Sequence, residues 1–141
     1  MCYITVLSTT SDEDLSALNN PAFSLTRVES SEELTNWLEY PHKWDLTGRY
    51  GGCACHFRNW MRENPPEFAP PEDWFPEDQE DIKATQAFYA LISRLVSEGH
   101  KVDSITAWQG DAEPRPFEVS ISAVPPEPFR LLDGYRCEYK A

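Results

Sequence analysis

Apolar and polar positions along the chain repeat with two different periods, and each change of period marks a new element. Residues 2–7, Cys-Tyr-Ile-Thr-Val-Leu, are β-branched and aromatic, the composition of a strand. Ser11 then offers a helix N-cap, and Asp12, Glu13 and Asp14 suit a first helical turn whose Leu15 and Leu18 face inward. Asn19-Asn20-Pro21 ends that short element, and residues 23–28 alternate apolar with polar as a half-buried strand does. Ser30 and Glu33 have capping-box spacing ahead of Leu34, Trp37 and Leu38, which predicts a second short helix. Pro41 stops it near Tyr40, because a proline disfavours α geometry in the residue before it.

Residues 44–50 predict a strand, Gly51-Gly52 a hairpin turn, and residues 53–57 the return strand. Prolines 65, 66, 70, 71 and 76 then exclude a central strand or a helix interior. The main helix is expected over residues 79–98, with Ile82, Thr85, Phe88, Tyr89, Ile92, Leu95 and Val96 near one face and Gly99 as its stop. Residues 102–108, 117–124 and 135–139 read as closing strands with no helix between them, so they are expected to pair largely antiparallel. The fold class expected is α+β: a single domain with a mixed or mainly antiparallel sheet and its long and short helices packed mainly on one face.

Composition narrows what such a domain does. At 141 residues, 40% hydrophobic and 13% aromatic, the chain can bury a core without staples. Twelve basic against 24 acidic side chains give a net charge of −12, which argues against nucleic acid or an anionic membrane as partner and fits a basic protein partner. No stretch has the charge pattern of a signal peptide or the length of a membrane span, so a cytoplasmic protein is expected, with its four cysteines as thiols or metal ligands.

Charge is also unevenly placed. Residues 63–81 hold eight acids and no base, whereas residues 41–62 hold Lys43, Arg49, Arg58 and Arg62 against Asp45 alone. Opposite charge in consecutive segments favours their lying together. Within the Pro-rich acidic loop, at about residues 63–78, Phe68, Glu72, Asp73, Trp74 and Phe75 form a candidate recognition surface for a basic partner, with an aromatic as anchor. The plainer role for the same aromatics is to pin the loop to the body. A structureless loop of this length is uncommon unless functional.

The cysteines carry the alternative chemistry. In a strand Cys53 and Cys55 share a face and His56 takes the other. A structural zinc site wants four ligands, commonly at Cys-x₂₋₄-Cys spacing, so Cys53-x-Cys55 needs Cys2 and Cys137 to converge on it from the first and last strands. The plainer expectation is that these small side chains fill the core. The basic segment around Cys53 also suits a reactive thiolate, although no spacing assigns His42, His56 or His100 as its base. An N-terminal-nucleophile role for Cys2 lacks the glycine that should follow, since Tyr3 stands there, and no phosphate-loop, zincin or nucleophile-elbow motif occurs.

The function expected is therefore a small acidic binding protein, of the inhibitor or immunity type, acting without a cofactor and without catalysis. The alternative is a zinc-binding or thiol-redox protein using Cys53 and Cys55.

Overall fold

The computed structural model describes residues 2–28, 33–60, 67–71, 77–108 and 113–141. Among the described residues eight strands and one α-helix follow in the order β1 (Tyr3–Thr9), β2 (Phe23–Arg27), β3 (His42–Gly48), β4 (Asn59–Trp60), α1 (Gln79–Ser97), β5 (Val102–Trp108), β6 (Arg115–Ser120), β7 (Leu131–Leu132) and β8 (Tyr135–Lys140). Six strands make one mixed sheet in the order β2-β3-β1-β5-β8-β6, and β4 pairs with β7 separately, so the α+β class stands.

α1 is set by its ends and one stripe. The Asp78 side chain accepts the Glu80 N–H at 2.8 Å, and Glu80 and Asp81 complement the positive end of the dipole. At the other end His100 N–H reaches the Leu95 carbonyl and Gly99 N–H the Val96 carbonyl, a paired cap that needs the positive φ of Gly99. Ala84, Phe88, Leu91 and Leu95 are buried at alternating spacings of four and three, with Thr85 and Ile92 beside them. Ile82, Tyr89 and Val96 lie at the margin, so the buried stripe is rotated slightly from the one expected. It packs on the sheet face formed by Leu7, Trp44, Leu46, Val102, Val119, Cys137 and Tyr139.

On the opposite face, the described residues supply cover from the segment ending at Tyr40. There Val6, Ile105 and Leu38 form a small second cluster with Ile4 and Leu34. The free edge of β2 is sealed locally: the Asn19 side chain exchanges two hydrogen bonds with the Leu25 backbone, occupying groups that could template another strand.

Four expectations change. The two short helices are single 3₁₀ turns, Leu15–Leu18 and Glu33–Trp37, and Ser30 of the capping box lies outside the described residues. The turn at Leu15–Leu18 is capped by Asp14, whose side chain accepts from Ser16 N–H, and not by Ser11. Residues 53–57 form no return strand, because both edges of β3 are taken, by β1 and β2. Finally, β8 inserts between β5 and β6, antiparallel to the first but parallel to the second; the chain crosses back through residues 121–134, including a 3₁₀ turn at Ile121–Ala123.

Candidate metal centre

Gly48 ends β3, and its missing side chain allows the next segment to fold back: a Cβ there would stand 2.9 Å from His56 Cβ. Gly48 N–H donates to the Cys53 carbonyl at 2.9 Å, closing a turn whose Gly51 and Gly52 take φ of 71° and 77°. Residues 53–55 then run beside the start of β1. Ala54 N–H donates to the Tyr3 carbonyl at 3.0 Å, and Tyr3 N–H donates to Cys55 Sγ at 3.3 Å. The Asn59 side chain holds the Ala54 carbonyl from behind at 2.7 Å.

Ala54 is fully buried in the main core, which leaves Cys53 and Cys55 together on the outer side of the segment. Cys2, immediately before β1, meets them there. The sulfurs of Cys2, Cys53 and Cys55 all lie within 4.8 Å of one another, and all three residues are half-buried. The shared face of Cys53 and Cys55 is that expected from their spacing, although no strand supports it. His56 turns the other way: its ring packs edge-on against Tyr50 with centroids 4.7 Å apart, and Nδ1 stands 4.0 Å from Asp81.

Cys137 does not join the cluster. It is buried in the core beneath α1, and β5 lies between β8 and β1, so the first and last strands are not neighbours. Of the four cysteines, only this one is the core filler that composition suggests.

The thiols differ in acidity. Burial pushes Cys53 up, but the Cys55 backbone N–H and the thiols of Cys55 and Cys2 donate to its sulfur and leave it below its ordinary value. Burial raises Cys55 to about 11, against the Tyr3 N–H and with the negative Cys53 sulfur adding to it. Burial raises Cys137 to about 12. Of the basic residues that suggest a lowered thiol pKa, Arg62 lies outside the described residues and the other three are committed elsewhere. Arg49 pairs with Asp81 at 2.7 Å and Asp78 at 3.2 Å, Lys43 donates to the Thr35 carbonyl, and Arg58 forks onto Glu77.

The Arg49 and Arg58 pairs join the basic segment to the acidic one. Arg58 is almost fully buried, and besides Glu77 it donates to the carbonyls of Ala69, Glu127 and Phe129. Phe68 is half-buried and stacks on Phe129, with centroids 5.6 Å apart. Glu72, Asp73, Trp74 and Phe75 lie outside the described residues.

One polar cluster was not foreseen. On the sheet face away from α1, Asp103 Oδ1 accepts the Ser8 hydroxyl, and Oδ2 accepts Glu39 N–H at 3.0 Å and Arg136 Nε at 2.8 Å. Arg136 also reaches Glu138, which accepts the Tyr40 hydroxyl. The sequence signal is a lone charged residue inside an otherwise uncharged strand. Both oxygens of Asp103 are satisfied, so the cluster fastens residues 39–40 to the sheet. Comparison with protein families, with curated proteins and with solved structures gives no match to this chain.

Proposed function

We propose that this protein binds a soft metal ion, zinc in the first instance, through Cys2, Cys53 and Cys55. The observation that carries the reading is the convergence of three sulfurs, from positions some 50 residues apart in sequence, on one half-exposed spot outside the core. Cysteines that merely fill space behave as Cys137 does.

Thiolates select zinc and monovalent copper over hard cations. Tetrahedral zinc with bonds of about 2.3 Å places its sulfurs ~3.8 Å apart. The present upper limit of 4.8 Å is therefore within a side-chain adjustment of that geometry. Three protein ligands leave the fourth zinc position to water or another ligand, the arrangement of sites that exchange what they hold. Binding must displace the thiol protons, that of Cys55 above all, so affinity falls with acid.

The alternative, a recognition loop for a basic partner, has the charge of −12 in its favour. Three of the acids that suggested it, Glu77, Asp78 and Asp81, are spent on Arg58 and Arg49 within the chain, which shifts the weight to the thiols. Elemental analysis of protein purified without chelator tests the metal reading. Stoichiometric zinc, lost in Cys53→Ser and kept in Cys137→Ala, supports it; protein that neither retains nor takes up zinc overturns it.

A further inference from the structure

The same three sulfurs have a second chemistry open to them. A disulfide needs its two Cβ atoms roughly 3.5–4.5 Å apart and its Cα atoms within about 7 Å, with side chains that face each other. Of the three pairings available, two are disfavoured by what surrounds them. Cys53 and Cys55 flank Ala54, which is fully buried and pinned through its N–H to the Tyr3 carbonyl and through its carbonyl to the Asn59 side chain, so a bond that drew its two neighbours together would work against that anchorage. Cys55 Sγ accepts the Tyr3 N–H, which ties it to the backbone of β1, whereas the hydrogen bonds to Cys53 Sγ come from within the cluster itself, from the Cys55 N–H and the neighbouring thiols. The remaining pair is Cys2 with Cys53. Cys2 precedes the first residue of β1, and Cys53 follows the Gly51-Gly52 turn, where a Cβ on either glycine would meet nothing within 4 Å.

We infer that Cys2 and Cys53 form a reversible disulfide on exposure to a hydroperoxide, and that this bond excludes the metal. The inference rests on the thiol cluster being the working site of the protein, as proposed above. The thiolate of one residue attacks the terminal peroxide oxygen; the O–O bond breaks, the alcohol leaves with a proton, and a sulfenic acid forms. The second thiol attacks that sulfur, the S–O bond breaks, and water leaves. In sum two thiols and one hydroperoxide give one disulfide, one alcohol and one water, with sulfur oxidised and peroxide reduced. Two of three metal ligands are thereby consumed, and a single remaining thiol does not hold zinc. Cys137, sealed in the core, takes no part.

The test is stoichiometric cumene hydroperoxide added to reduced, metal-free full-length protein, followed by intact mass, a non-reducing peptide map and zinc titration. The expected result is loss of two hydrogens, a linked pair of peptides carrying Cys2 and Cys53, no zinc uptake, and full recovery of uptake after reduction. Cys2→Ser is expected to stop at a sulfenic acid that dimedone traps. A Cys53–Cys55 or Cys2–Cys55 bond, or oxidised protein that still takes up zinc, overturns the inference. Zinc uptake by reduced protein with no disulfide under peroxide overturns the inference and leaves the metal reading intact. A Cys2–Cys53 bond in protein that binds no zinc when reduced sustains the disulfide and overturns the metal reading.

Discussion

The backbone N–H of Tyr3 donates to the sulfur of Cys55 at 3.3 Å, so the first strand of the sheet and the segment after β3 are tied together through a thiol. That contact, with the neighbouring sulfurs, sorts the cysteines by reactivity. Cys53, held below its ordinary value, is expected to react with iodoacetamide first at pH 8. Cys55, raised to about 11, should follow only in more alkaline solution, and Cys137 only on unfolding. Mass-spectrometric mapping of alkylation against time reads this order directly. Equal rates at Cys53 and Cys55 would contradict it.

Gly48 tests whether the fold-back positions the site. A methyl group there meets His56 Cβ at 2.9 Å, and both belong to backbone that must move to relieve it. Gly48→Ala is expected to cost ~1–3 kcal/mol in urea unfolding, as overpacking does, and to weaken zinc binding as well. Gly51→Ala meets no neighbour but must hold φ near 71°. Its cost of ~1–2 kcal/mol should therefore be one of backbone strain alone.

Arg58 and Glu77 form the tie between the basic and acidic segments. Arg58 Nε meets Oε1 at 2.8 Å and Nη2 meets Oε2 at 3.1 Å, with three backbone carbonyls completing the guanidinium. Arg58→Ala strands a half-shielded carboxylate and those carbonyls, so a loss of ~3–5 kcal/mol is expected. Arg58→Lys should recover little of it, since an ammonium cannot form the fork. Lys83→Ala, which removes a mostly exposed pair with Glu80, should change stability by ~0–1 kcal/mol. Comparable losses in Arg58→Ala and Lys83→Ala would contradict a structural role for the buried fork.

These segments show what was legible in the sequence. Their opposite charge foretold that they meet, and Arg58 with Glu77 and Arg49 with Asp78 and Asp81 are the contacts. The helix was legible because its caps, Asp78 and Gly99, and its apolar stripe are local signals. The shared side of Cys53 and Cys55 is the one their one-residue spacing suggests, held here by the burial of Ala54 between them and not by a strand. Strand partners were not legible. Nothing local in residues 44–57 tells that β3 is already flanked by β1 and β2, or that β8 enters between β5 and β6. For the same reason Cys137 was grouped with Cys2, although a whole strand separates them.

Alkaline pH gives a further test of burial. Tyr139 is fully buried and raised well above its ordinary value, Tyr40 is raised by burial and by Glu138, and Cys137 and Cys55 are raised as well. For a group raised in the folded state, the unfolded chain loses its proton first. Stability is then complete below the unfolded value and declines as pH climbs toward the folded one. Cys137 thus removes stability progressively from its ordinary value up to about 12. Cys53, shifted the other way, opposes this only in part. Melting temperature should fall steadily above pH 9, and Cys137→Ala should flatten the fall. A melting temperature constant to pH 11 would contradict the burial of these groups.

The metal site itself is read most directly by X-ray absorption at the zinc edge on protein loaded with one equivalent. The geometry predicts a first shell of three sulfurs, those of Cys2, Cys53 and Cys55, at about 2.3 Å with one lighter atom in the fourth position. A shell of nitrogen and oxygen alone, or of four sulfurs recruiting Cys137 from the core, would contradict it.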